Sequence, residues 1–107
     1  MPKAKCEVRG GRMTVAGDLS TDSDTNFDGA CQQLLADPSK TPVVDLSSVT
    51  FLSSTYVGLL AELGLGVGQS GRKLTIVAGT RIAALLREAG LGSIAAVENA
   101  PGKKPRA

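Results

Sequence analysis

A chain of 107 residues, 42% apolar and 21% charged, is one domain's worth of sequence and can bury roughly two-thirds of its unfolded surface around a single core. Its 12 basic and 10 acidic side chains leave a net charge of +2, too balanced to indicate a nucleic-acid partner, and Phe27, Phe51 and Tyr56 are too few aromatics for a base-stacking surface. The absence of histidine removes His-dependent triads, His-ligated metals and the usual general base near neutral pH, and two cysteines make neither a disulfide framework nor a zinc site.

No apolar stretch approaches the ~20 residues of a membrane-spanning helix, so no membrane insertion is expected. The first ten residues lack the charged-then-apolar layout of a signal peptide. The expected address is therefore cytoplasmic, where both thiols stay reduced. Along the chain, Cys6 and Val8, then Met13 and Val15, alternate with polar neighbours around Gly10-Gly11, which predicts a β-hairpin. A polar loop from Gly17 to Thr25 leads to Phe27, Ala30, Cys31, Leu34 and Leu35, the spacing of an amphipathic helix stopped by Asp37-Pro38. Cys31 reads as a small core residue on that stripe. Val43 to Leu46 predicts a strand buried on both faces, followed by a Ser-rich turn and Phe51-Leu52. The apolar segment from Tyr56 to Gly68 is a helix ended by Gly71, and Leu74 to Val77 is the next strand. Thr80 caps a helix with the stripe Ile82, Leu85, Leu86 and Ala89, closed by Gly90. Ile94 to Val97 is a last short strand. Residues 1–100 form the domain, and 101–107 read as a flexible C-terminal tail. Strands alternating with helices imply parallel pairing through right-handed crossovers, so the fold class is α/β, a mixed sheet with an N-terminal hairpin and helices packed on it.

Three motifs invite chemistry that their context refuses. Gly66-x-Gly68-x-x-Gly71 spells a dinucleotide fingerprint, but a helix precedes it and a strand follows, the reverse of what pyrophosphate binding needs. Read as a P-loop, the same stretch puts Arg72 in place of the Lys and Lys73 in place of the Ser or Thr. The glycines read instead as close packing at a helix end. Asp22-x-Asp24-x-Asn26 opens like a calcium loop, yet Phe27 occupies the turn position that demands Gly and Gln33 the position of the bidentate Glu. Helix-capping carboxylates explain that cluster better. Lys103, Lys104 and Arg106 fall short of the roughly four to eight basic residues that give useful membrane attraction. No cofactor, metal or catalytic residue is expected, and no enzyme.

The remaining feature is Ser53-Ser54-Thr55, between a strand and a helix, where hydroxyls cap orphan N–H groups. The helix that follows carries two apolar stripes, Val57, Leu60, Ala61 and Gly64 on one and Tyr56, Leu59, Leu63 and Val67 on the other. Glu62 is its single charge. One stripe packs on the sheet; the other is expected to face a partner. Phosphorylation at the triplet would place about two negative charges beside that surface and act as a switch.

The run from Val43 to Leu60, Val-Val-Asp-Leu-Ser-Ser-Val-Thr-Phe-Leu-Ser-Ser-Thr-Tyr-Val-Gly-Leu-Leu, resembles the central motif of the STAS domain, the fold of bacterial anti-sigma factor antagonists. Gly71-Arg-Lys-Leu-Thr-Ile-Val-Ala, Ile82-x-x-Leu85-Leu86-x-x-Ala89-Gly90-Leu91 and Val15-Ala-Gly-Asp-Leu are similar to that family too, over roughly residues 5 to 98. The family's Asp-Ser-Ser-Gly turn falls on Ser53, Ser54, Thr55 and Tyr56. The resemblance therefore implies Thr55 as phospho-acceptor, with Ser54 its capping neighbour and the other phosphorylation candidate, and the second apolar stripe gives Tyr56, Leu59 and Leu63, with Ser53, as the expected partner-binding residues. It implies an anti-sigma factor/kinase of the histidine-kinase-like ATPase type as partner, which holds the nucleotide itself. It leaves open a homodimer. It also leaves open a second role, an accessory subunit bracing the ATPase of a lipid-transporting ABC system without a covalent switch.

Overall fold

The structure, a computed structural model, describes residues 5–20 and 27–100. Strands β1 (Lys5–Arg9) and β2 (Arg12–Leu19) form the expected hairpin, with Arg9 opposite Arg12 and positive φ at both Gly10 and Gly11. Two consecutive residues in that region give the turn a twist that matches the strands it joins. Helix α1 (Phe27–Ala36), β3 (Val43–Leu52), α2 (Ser54–Gln69), β4 (Leu74–Ala78), α3 (Thr80–Glu88), a 3₁₀ turn at Leu91–Ser93 and β5 (Ala95–Asn99) follow. The sheet order is β1-β2-β3-β4-β5, antiparallel in the hairpin and parallel elsewhere. The α/β class, the hairpin and the element order are as the periodicity predicts.

Each crossover advances the sheet by one strand in the same direction, so right-handed connections lay the helices on one face. Burial agrees: Met13, Val15, Val44, Leu46, Leu74, Ile76 and Ala78 are fully enclosed, whereas Val43, Asp45, Thr75 and Val77 on the other face are only half-buried. The strand from Val43 is thus covered on one side and not on both, because no helix crosses the second face among the described residues. On that open face Arg12 Nη2 donates to Asp45 Oδ2 at 2.6 Å.

β3 also departs from expectation in length. Ser47 and Ser48 belong to the strand and not to a turn. Their turn chemistry is nonetheless present: Asp45 Oδ1 accepts from Ser47 N–H at 2.9 Å and from Ser47 Oγ at 2.6 Å. β3 absorbs the extra residues as two register shifts against β2, at Thr14/Ala16 and Gly17/Asp18, and pairing then resumes to Leu19 opposite Leu52. β4 pairs only with Val43 to Leu46, so the second half of β3 runs past it. At the other turns, Thr80 is the first residue of α3 and Gly79 its N-cap, with no side chain capping the helix.

Arg72, the residue that spoils the P-loop reading, has a structural task. Its Nη1 donates to the carbonyls of Asp37 (2.7 Å) and Ser39 (2.8 Å), its Nη2 to that of Leu35 (3.0 Å), and its Nε to Ser70 Oγ (2.8 Å). One guanidinium thereby satisfies carbonyls at and beyond the C-terminus of α1 and ties them to the end of α2. Close packing there accounts for Gly66, where a Cβ would lie 2.9 Å from Leu35 Cδ2, and positive φ for Gly71, whereas a Cβ on Gly68 would meet open space. Truncating Arg72→Ala should lower unfolding free energy by about 2 kcal/mol. Arg72→Lys should recover only part of it, because an ammonium lacks the planar fork; urea titration of the three proteins checks this.

Candidate functional site

β3 delivers the chain to Ser53 in extended conformation (φ −79°, ψ 164°), and Ser53 N–H donates to the Leu19 carbonyl at 2.9 Å. That bond pins the strand-to-helix junction to the end of β2. The Ser53 carbonyl accepts from Tyr56 N–H and Val57 N–H, both at 3.1 Å, and starts α2. Its hydroxyl does not cap the helix as the sequence reading expects; Ser53 Oγ is buried and has no hydrogen-bond partner among the described residues. Ser54 and Thr55 occupy the first turn and are exposed, with no acidic side chain beside them in that turn. The positive end of the α2 dipole is therefore left without side-chain compensation, next to two accessible hydroxyls.

The apolar faces of α2 are arranged differently from the two stripes. Tyr56, Leu60, Leu63 and Val67 form the buried seam at i, i+4, i+7 and i+11, and Gly64 lies beside it. Tyr56 is 7% exposed and meets Phe27 edge to face, ring centroids 5.1 Å apart at 87°. Leu63 is 2% exposed. Of the partner-binding residues expected from sequence, Tyr56 and Leu63 therefore belong to the core, while Leu59 and Ser53 are half-buried at its margin. The physical reason is width: a helix packed against both the sheet and α1 buries an arc that takes members of both stripes. What faces outward is the arc of Ser54, Thr55, Gly58, Glu62, Leu65 and Gln69. Leu65, 53% exposed, is the residue the sequence reading missed. Its signal was available, since it sits opposite the Tyr56–Leu63 seam at 100° per residue.

The other candidates resolve simply. Cys31 is buried against the core, and its thiol is pushed up to about 12, first by burial and then by the nearby Asp28, Cys6 and Glu62. It has the character of a small hydrophobe and not of a nucleophile at neutral pH. The Gly66–Gly71 string lies at the end of α2 and before β4, with Gly71 at φ +80°. The acidic cluster at 22–24 and the basic tail at 101–107 lie outside the described residues. Among the described residues no group of three His, Cys, Asp or Glu could hold a metal ion, and no helix is long and apolar enough to cross a membrane.

The model of the family described as "Mlab, STAS domain" matches residues 6–97. No curated protein matches the chain.

Two measurements check this placement. Tyr56→Ala should cost about 3 kcal/mol of stability by emptying the space against Phe27, whereas Leu65→Asp should stay within ~0.5 kcal/mol of the parent in thermal unfolding. Under native conditions a disulfide reagent should leave one thiol, that of Cys31, unmodified at pH 7 until denaturant is added.

Proposed function

The chain belongs to the STAS domain family, and from that membership and the geometry of the α2 N-terminus we propose that it is a non-enzymatic switch protein of the anti-sigma factor antagonist kind. In this reading it binds a histidine-kinase-like anti-sigma factor that carries its own ATP, and it is released when Thr55 is phosphorylated. The observation that carries the reading is the exposure of Thr55 in the first turn of α2. A kinase can reach its hydroxyl, because the bulky Tyr56 beside it turns into the core instead of covering it.

The docking surface in this proposal is the outward arc of Ser54, Gly58, Glu62 and Leu65, in place of the stripe through Tyr56 and Leu63. Thr55 borders that arc. The uncapped dipole end tolerates a phosphate there, with a change of about 1 kcal/mol or less in the stability of the fold. The partner surface does not: a dianionic group on the docked face must be desolvated on association and repels acidic groups opposite. The same residue can thus be neutral for folding and decisive for binding.

Ser53 favours a second reading. Where the family motif has a charged Asp, this chain has an uncharged hydroxyl that is buried. That change removes a charge from kinase recognition and suits a constitutive dock, such as an accessory subunit on the ATPase of a lipid-transporting ABC system.

Incubation with a candidate kinase and ATP, followed by intact-mass measurement, separates the two. The switch reading expects one phosphate on the parent, none on Thr55→Ala, and loss of kinase binding by Thr55→Asp. Binding of an ABC-type ATPase that is indifferent to Thr55→Asp but abolished by Leu65→Arg would support the constitutive reading instead.

A further inference from the structure

A second surface lies on the other flank of β3, and none of its lining residues belongs to α2. Beyond Leu46, β3 has no strand partner on the β4 side among the described residues, because β4 ends at Ala78 and the chain turns into α3. The uncovered half of β3 borders a groove of about 590 Å³ walled by Val49, Phe51, Ile82 and Leu85. Of the three large apolar side chains most exposed among the described residues, two are in this groove, Phe51 at 50% and Leu85 at 39%. Its one charged lining residue is Arg81, exposed, which pairs with no carboxylate among the described residues.

These features together select one kind of occupant. A strand edge without a neighbour offers main-chain donors and acceptors to an extended chain. An apolar trough beside it takes alternate side chains of that chain. A lone cation at its rim, with no acid among the described lining residues, favours a carboxylate. We propose that this groove docks an extended segment of a partner protein, laid along β3 from Ser47 to Leu52, with alternating apolar side chains in the trough and an acidic end against Arg81. The pairing takes the place that β4 vacates. It does not rest on the Thr55 switch and uses a different set of residues, so either proposal can fail alone.

The test uses the whole ¹⁵N-labelled chain and a synthetic peptide, acetyl-Thr-Leu-Thr-Leu-Asp-Asp-amide, titrated to millimolar concentration. The expected result is amide shifts confined to residues 47–52 and 79–85, with the arc through Gly58, Glu62 and Leu65 unmoved. The peptide with Lys-Lys in place of Asp-Asp should bind roughly tenfold more weakly, and so should the acidic peptide N-methylated along its backbone. Arg81→Glu, a surface change, should reverse the preference between the acidic and basic peptides while leaving the rest of the spectrum in place. The proposal is overturned by the absence of shifts, by shifts centred on α2, or by equal binding of the N-methylated peptide. It is overturned equally if residues 47–52 and 79–85 shift with protein concentration alone, since a second copy of the chain would then be the occupant.

Discussion

The edge-to-face contact between Tyr56 and Phe27 sets the orientation on which the rest of the surface depends. Consecutive residues of a helix point about 100° apart, so fixing Tyr56 inward against α1 fixes Thr55 outward. The bond from Ser53 N–H to the Leu19 carbonyl supplies the second constraint, holding the start of α2 at the end of β2. Rotation is set by one contact and position by the other. A side chain smaller than Tyr at 56 would leave the helix start less firmly seated, and the hydroxyls next to it would lose a defined direction.

The sheet has its own asymmetry. β3 is central, yet among the described residues β2 alone pairs with it along its length, since β4 accompanies it for Val43 to Leu46 and then departs. Two consequences gather at the same end of the sheet. The last residues of β3 run directly into the hydroxyl-bearing turn of α2, and their other edge has no strand partner among the described residues, next to the start of α3. In open sheets of parallel strands, binding sites concentrate at the carboxyl ends of strands because the connecting turns and helix N-termini meet there. Both candidate surfaces obey that rule without sharing residues, so the two proposed docking modes do not compete for the same side chains.

The legible parts of this fold are those where hydrophobic period and glycine placement agree. The Gly10-Gly11 hairpin, the stripe of α1 and the alternation in β4 each admit one reading, and each is what forms. Two features were illegible for definite reasons. Ser47 and Ser48 look like a turn because Asp45 engages Ser47 as a turn would, but the interaction sits inside a bulged strand, and bulges leave no period to read. α2 is apolar on so many sides that its pattern cannot say which arc is buried; only the packing partners, α1 through Phe27 and Ile94 near Gly64, choose it. Arg72 was visible in sequence only as a misfit in a nucleotide motif. Its task of gathering three carbonyls depends on where α1 ends in space, some 35 residues away in the chain.

The buried Ser53 hydroxyl ties energetics to the proposed switch. A polar atom enclosed without a partner costs about 1–3 kcal/mol, a modest amount for a hydroxyl and a far larger one for a carboxylate in the same place. Ser therefore suits a position whose side chain is closed off from water, and it leaves the helix dipole unneutralised. With no acid in the first turn of α2, the potential there remains positive and is directed at Ser54 and Thr55. A negative group added to Thr55 meets no repulsion from the helix start and needs no rearrangement of the core, because Tyr56 already carries the packing. The fold is insulated from the charge while the exposed arc beside it is not. A covalent signal of the proposed kind would then alter association without spending the stability of a small domain, which at this size is only ~0.1 kcal/mol per residue.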